Sequence, residues 1–287
     1  MALQFKRGYE LRLVNPDGRV VTSTELRVKF EITKDLFGYP NLGKIAIYNL
    51  SLDRAVEISE EFTTVELKAG YANTLVLLFK GDIRNVVNRR EGVDTITEIF
   101  AGDGDRPVRK TKFSKTFAPG TPILQMVKEV ASSFNIPSAK LDGINSIQSN
   151  LNGITMSGST KDLLNKLSDD YNFYWSIQDG QFTTQSRDGY DSANAVTVIT
   201  RATGMIGSPA ITEIGADVRT LLNPDLHPYR AFKIETPNVD VSVGNLFFRN
   251  ANSIPTLGVG LFRVNKVIHL GDTRGPDWSS NLVGRRL

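Results

Sequence analysis

Two histidines, a glycine-rich run, one serine and four aspartates are the residues of this chain whose types and neighbours could carry chemistry. A metal site on one strand or helix face needs a second donor two or four residues on. His227, between Leu226 and Pro228 in a predicted turn, has none, and neither has His269, which alternates with Ile268 on a predicted strand. Both are read as structural. Gly153 to Ser159 has the spacing of a phosphate-binding loop, but Ser159 stands where that loop needs a lysine and Lys161 comes too late. Ser208 lies in Gly207-Ser208-Pro209, which lacks the Gly-x-Ser-x-Gly elbow of a hydrolase nucleophile and reads as a turn. Asp103, Asp105, Asp169 and Asp170 could pair as acid and base for glycoside cleavage. Asp103-Gly104-Asp105 reads as a turn, however, and adjacent Asp169 and Asp170 point apart at a helix end, so all four are expected at the surface. The expectation is a protein that is not an enzyme, with no metal and no cofactor.

Composition narrows the class further. The chain has 287 residues, enough for two or three domains, and no cysteine, which removes thiolate metal sites and disulfides and fits folding in a reducing cytoplasm. Its 34 basic and 31 acidic side chains are interspersed and leave a net charge of +3, so no nucleic-acid-binding patch is indicated. Arg89-Arg90 and Arg285-Arg286 read as solvated pairs. The N-terminus has no apolar leader core, and the longest apolar run, near Leu75 to Phe79, is far too short to span a bilayer.

The elements that would hold these residues are mostly strands. Tyr9–Val14 and Arg19–Val21 flank Asn15-Pro16-Asp17-Gly18, a turn sequence. Leu26, Val28, Phe30 and Ile32 alternate with charged residues, the period of a strand with one wet face. Further strands are expected at 44–50, 64–69, 74–79, 83–88 and 94–100, with one helix capped by Ser51 whose apolar face is Leu52, Ala55, Val56 and Ile58. From Gly104 the pattern changes. A helix opens at Thr121-Pro122 and carries Ile123, Leu124, Met126, Val127, Val130 and Phe134; a second starts at Ser159 or Thr160. Phe173–Ile177 and Gln181–Gln185 flank Asp179-Gly180, a type I′ hairpin signal. The charged stretch 103–115 and the polar stretch 186–193 read as linkers. Strands return at 196–201, 211–222, 230–235 and 261–270.

Val65-Glu66-Leu67 followed by Ile83 to Asn88 has the same pattern as Phe232-Lys233-Ile234 followed by Val264 to His269. Either the β unit is duplicated or two β-rich segments align by chance.

Three groups of segments resemble the baseplate hub (tail hub) proteins of contractile-tailed bacteriophages, which are related in fold to the late control D proteins. They are Tyr48-Asn49-Leu50 with Leu67 to Tyr71 and Phe79 to Ile83; Gly120 to Leu124 with Gly158 to Leu164; and Gly204 to Pro209, Thr212-Glu213, Val218 to Pro224 and Val264 to Val267 leading to Gly271 to Trp278. The resemblance covers nearly the whole chain. Tyr229, where the pattern expects glycine, departs from it, and the chain ends soon after Trp278 with no room for a fused lysozyme or spike domain. The fold it implies is mainly β with an α/β insertion: two tube-like antiparallel β-barrels, residues 1–103 and 188–287, flanking an α/β module, residues 104–187.

The function implied is structural. A homotrimeric hub in the virion tail baseplate, made in the host cytoplasm, would join the hexameric tail tube to the trimeric central spike by presenting two similar barrels per subunit. Its partners would be other copies of itself, the tail tube protein, the central spike protein and other baseplate proteins. The alternatives are a tail-tip cell-wall hydrolase or a carbohydrate- or receptor-binding module using Tyr174, Trp175 and Trp278, although Trp175 alternates within an apolar strand as a core residue would. The 33–43 loop with Phe37, Tyr39 and Pro40, and the 238–257 loop with Asn245, Phe247, Phe248 and Asn250, carry apolar residues without strand period. They are read as contact loops, or equally as loops tucked on their own barrels.

Overall fold

The computed structural model describes residues 6–36, 40–71, 74–144, 152–211, 215–236, 240–241 and 259–287. The expected hairpin opens it: β1 (Arg7–Val14) and β2 (Val20–Ser23) turn at Gly18, which takes φ +85° and donates its amide to the Asn15 carbonyl at 3.1 Å. β3 (Val28–Asp35), β4 (Leu42–Tyr48), α1 (Leu52–Glu61), β5 (Thr64–Tyr71), β6 (Thr74–Glu91) and β7 (Asp94–Gly102) follow. Ser51 caps α1 by accepting from the Arg54 amide, but the helix buries only Ala55 and Ile58; Leu52 and Val56 of the expected apolar face stand exposed. The two strands expected at 74–79 and 83–88 are one. β6 pairs β5 along its first half and β7 along its second, so Gly81 and Asp82 lie mid-strand, where the two pairings overlap.

The charged stretch 103–115 is no linker. It folds as α2 (Asp105–Lys110) and β8 (Lys112–Phe117), because Asp82 accepts from the Arg106 amide at the helix start and β8 finds a partner in β10 (Ile154–Ser159). That partner is the run whose glycine spacing looked like a phosphate loop. α3 (Ile123–Ser132), β9 (Ser138–Leu141), α4 (Thr160–Asp170), β11 (Phe173–Gln178) and β12 (Gln181–Ser186) complete the module. Asp179 and Gly180 take φ 54° and 80°, the two positive values that a type I′ turn requires. Its core stacks Phe134, Trp175 and Phe182 over the apolar faces of both helices, so Trp175 is a core residue.

β13 (Thr197–Ile199), β14 (Met205–Ile211), β15 (Gly215–Leu221), β16 (Ala231–Glu235), β17 (Asp240–Val241), β18 (Val259–Asp272) and β19 (Trp278–Arg286) form the last part. The strand expected at 211–222 is thus the end of β14 and the whole of β15. Gly207-Ser208-Pro209 is a bulge in β14 rather than a turn. Trp278, 2% exposed, packs edge-on against Phe30 at 5.5 Å, which removes it as a sugar-stacking surface. Among the described residues no helix is long and apolar enough to cross a membrane.

The fold is mainly β and mostly antiparallel. One 14-stranded sheet runs β17-β14-β15-β19-β18-β3-β4-β7-β6-β5-β1-β2, with β16 on β18 and β13 on β16. Among the described residues neither half closes into a barrel; each curls over its own apolar core, and the halves are joined edge to edge where β3 pairs β18.

The two halves are copies of one unit. The order β5-β6-β7-β4-β3 in the first is matched strand for strand by β16-β18-β19-β15-β14 in the second, in the same chain order and with every neighbouring pair antiparallel. The alignment read from sequence holds to the residue. Val65 pairs Gly81 where Phe232 pairs Phe262, and Val86 pairs Ile99 where Val267 pairs Leu282. Each long strand carries a bulge at the second residue of the aligned stretch, Arg84 in one and Asn265 in the other. Thr97 donates to Asn88 at 2.8 Å, and the corresponding Ser280 and His269 are also 2.8 Å apart.

Candidate functional site

The buried polar residues that tie the α/β module to the large sheet meet at the end of β3. Lys34, fully buried, aims its ammonium at both carboxylate oxygens of Asp179, each at 2.7 Å, in the turn of the β11–β12 hairpin. Asp103, also fully buried, accepts from the Asp179 and Gly180 amides of the same turn, so the expectation that it is a surface carboxylate is overturned. Two carboxylates and one ammonium leave the cluster one negative charge in excess. Burial first, and the Asp179 charge second, push the Asp103 carboxyl up to about 8. Asp105 is buried too, between Arg84 and Arg109. Only Asp169 and Asp170 are exposed as expected.

Around this pair the module is held by hydrogen bonds to backbone. The Asn41 amide donates to the Ile177 carbonyl and to Gln178 Oε1, each at 2.9 Å, and Gln178 donates to the Asp35 carbonyl at 3.0 Å. Tyr229 ties the turn before β16 to the same place: its hydroxyl donates to the Leu36 carbonyl at 3.1 Å and its amide to that of Val264 at 3.0 Å. Tyr229 has φ 73°. The turn therefore keeps the left-handed backbone that a glycine would adopt freely, at a cost of about 1–2 kcal/mol that these contacts offset. Arg263, 1% exposed, donates to the Arg187 and Gly189 carbonyls at 2.6 and 2.7 Å, tying the end of the module to β18.

The histidines belong to the same region. Burial, then the nearby Lys34 and Arg230 charges, pull His227 down to about 3, and burial with Lys34 and His227 depresses His269 well below its ordinary range. Both rings are neutral; His269 shares a hydrogen bond with Ser280 through Nδ1, and its buried Nε2 has no hydrogen-bond partner among the described residues. Ser208 is exposed in its bulge. Among the described residues no cluster of three or more His, Asp or Glu is placed to hold a metal. These contacts join the β11–β12 hairpin to β3 and β18 through buried polar groups. Sequence reading missed Lys34, Asp103 and Tyr229 as a unit, since they lie on segments far apart in the chain. Of the proposed contact residues, Phe37, Tyr39, Asn245, Phe247, Phe248 and Asn250 lie outside the described residues; Pro40 is half-buried.

Comparison with known proteins gives a family and a fold. The family model described as baseplate hub gp41 matches residues 10–236. No curated protein sequence matches the chain. Among solved structures, the 43 kDa tail protein of prophage MuSo2 from Shewanella oneidensis is similar at TM-score 0.63 and 9% identity, over 97% of this chain and 98% of that one. The tail protein from Neisseria meningitidis MC58 is similar at TM-score 0.64 and 9% identity, over 98% and 97%. The Escherichia coli c3393 protein, a type VI secretion component with structural similarity to the T4 tail proteins gp27 and gp5, gives TM-score 0.61 at 9% identity over 91% and 73%. At such identities the likeness is one of fold.

Proposed function

This chain belongs to the baseplate hub gp41 family, a family of phage tail structural proteins, and we propose that it is the trimeric hub that joins the hexameric tail tube of a contractile tail to the trimeric central spike. Three chains with two like units each present six, which meets a six-fold partner on one side while true three-fold symmetry remains on the other. The observation that carries this reading is the internal repeat, with its matched strand order, register and bulge. In this reading residues 1–103 and 188–287 are the tube-like parts that complete their barrels on assembly, and 104–187 is the module that braces them. The hub acts without catalysis, in the virion baseplate. It contacts other copies of itself, the tail tube and spike proteins and other baseplate proteins, with the 33–43 and 238–257 loops as contact loops. The buried positions of Trp175, Trp278, Asp103 and Asp105 favour it over a hydrolase or a sugar-binding module. Native mass and pull-down with the tail tube protein test it: a trimer that binds the tube is expected, and a monomer that cleaves or binds peptidoglycan and ignores the tube would refute it.

A further inference from the structure

We propose that Lys34 and Asp179 are the two ends of a self-formed amide crosslink, an isopeptide bond that ties β3 to the turn of the β11–β12 hairpin. Lys34 Nζ stands 2.7 Å from each carboxylate oxygen of Asp179. That places it about 3 Å from the carboxyl carbon, at the near edge of the ~3–3.5 Å expected of reacting atoms held ready to join. The contact is set by long-range structure, since the two residues are 145 apart in the chain. β3 holds one through its ladders to β4 and β18, and the type I′ turn holds the other at φ 54°. The Asp103 carboxyl clamps that turn by accepting from the Asp179 and Gly180 amides.

Burial separates this pair from the other lysine ion pairs of the described residues. Lys44, Lys68, Lys80, Lys115 and Lys233 also meet carboxylates, but their side chains are 35–50% exposed, and water keeps such ammonium groups charged and unreactive. The Lys34 side chain is 0% exposed. In a dry site, passing one proton from the ammonium to the carboxylate removes both charges and leaves an amine facing a carboxylic acid, the pair from which an amide forms. The product is free of the cost of holding two charges in the interior.

The step balances without a co-reactant. The Nζ lone pair attacks Cγ, the Nζ–Cγ bond forms and one Cγ–Oδ bond breaks. That oxygen leaves as water with two of the three ammonium protons, and the amide nitrogen keeps the third. Exclusion of water from the Lys34 side slows the reverse hydrolysis. Asp179 keeps 19% exposure, and its solvated carboxylate makes the forward step slow, so fresh protein holds the ion pair and the crosslink accumulates on standing. Asp103 is a positioning residue. While protonated it holds the turn and adds no charge; once ionised, its negative charge pins the Lys34 ammonium in the charged form. The product closes a loop between residues 145 apart and braces the first unit against the module covalently.

Intact mass reads the bond directly. Full-length wild type, held for days at pH 7 and then denatured, is expected to weigh one water less than its sequence. Trypsin then no longer cuts after Lys34 and should give one branched peptide joining residues 30–44 to 167–187. Lys34→Met, which has no nucleophile, should keep its full mass. Asp103→Asn cannot ionise, so its rate of crosslinking relative to the wild type should rise about tenfold between pH 7 and pH 9, where Asp103 becomes mostly ionised. Aged wild type of full mass that trypsin cuts after Lys34 overturns the crosslink, and so does a water loss carried by residues 167–187 alone, which is an internal imide at Asp179-Gly180. A rate ratio flat between pH 7 and pH 9 overturns the part given to Asp103.

Discussion

Replacing Lys34 by Met tests how far the buried charge pair holds the β11–β12 hairpin against β3. The substitution keeps the length of the buried stem and removes only the ammonium that faces Asp179. Breaking a buried pair costs about 3–5 kcal/mol when one charge is left alone in the interior. Asp179 keeps a 19% exposed side chain, so water relieves part of that, and about 3 kcal/mol is the expected loss. The pH dependence has a definite sign. Asp103 already holds its proton up to about 8, against an ordinary 3.8, so its contribution to stability is full below about 4 and lost as pH rises through 8. Without Lys34, the charge that favours ionised Asp103 disappears, and the penalty of Lys34→Met grows from pH 5 to pH 9. Urea unfolding of the wild type, Lys34→Met, Asp179→Asn and the double variant at both pH values measures this. Asn suits the left-handed φ of 54° at position 179, so its own backbone cost is small. A single-variant loss under about 1 kcal/mol at pH 9, or a double variant no more stable than Lys34→Met, refutes the reasoning.

Three further outcomes follow from the same geometry. A Cβ on Gly271 would lie 2.1 Å from the Phe30 ring that packs on Trp278, so Gly271→Val should cost about 1–3 kcal/mol and lower Tm in thermal melts. Arg263→Leu leaves the Arg187 and Gly189 carbonyls without their buried donor; a loss of about 2–4 kcal/mol is expected, with limited proteolysis moving to the 186–193 stretch. His227 and His269 have depressed folded-state values, so their stabilisation is present above about 6.5 and lost as pH falls below it, toward about 3 for His227. His269→Asn, which copies Asn88 of the first unit, should flatten the fall in Tm between pH 7 and pH 5.

The fold was legible in the sequence wherever local chemistry decides the backbone. Asn15 to Gly18 and Asp179-Gly180 fix their hairpins through φ alone, and the alternation around Phe30 and Ile32 fixes the wet and dry faces of β3. The repeat was legible as well, because a bulge and an inward apolar set leave the same pattern twice. Long-range partners were not. Asp103 and Asp105 look like surface carboxylates because Lys34, Asp179 and Arg84, which accept them in the interior, lie elsewhere in the chain. β6 reads as two strands because Gly81 looks like a break; the break is a change of partner, from β5 to β7, which no local pattern encodes.

The differences between the two copies follow how each long strand is covered within the chain. The flank of β18 is covered during folding of the single chain, so its inward positions hold His269, fully buried, and Gly271, closed against the Phe30 ring. The matching flank of β6 has no strand on it among the described residues, and there the same positions are Asn88 and Arg90, both exposed. An edge strand kept soluble by polar and charged residues resists pairing with the wrong chain. Divergence between the units is concentrated where β3 covers β18 and, among the described residues, no strand covers the matching flank of β6, while the bulge, the core pairs and the cross-strand hydroxyl contact stay alike.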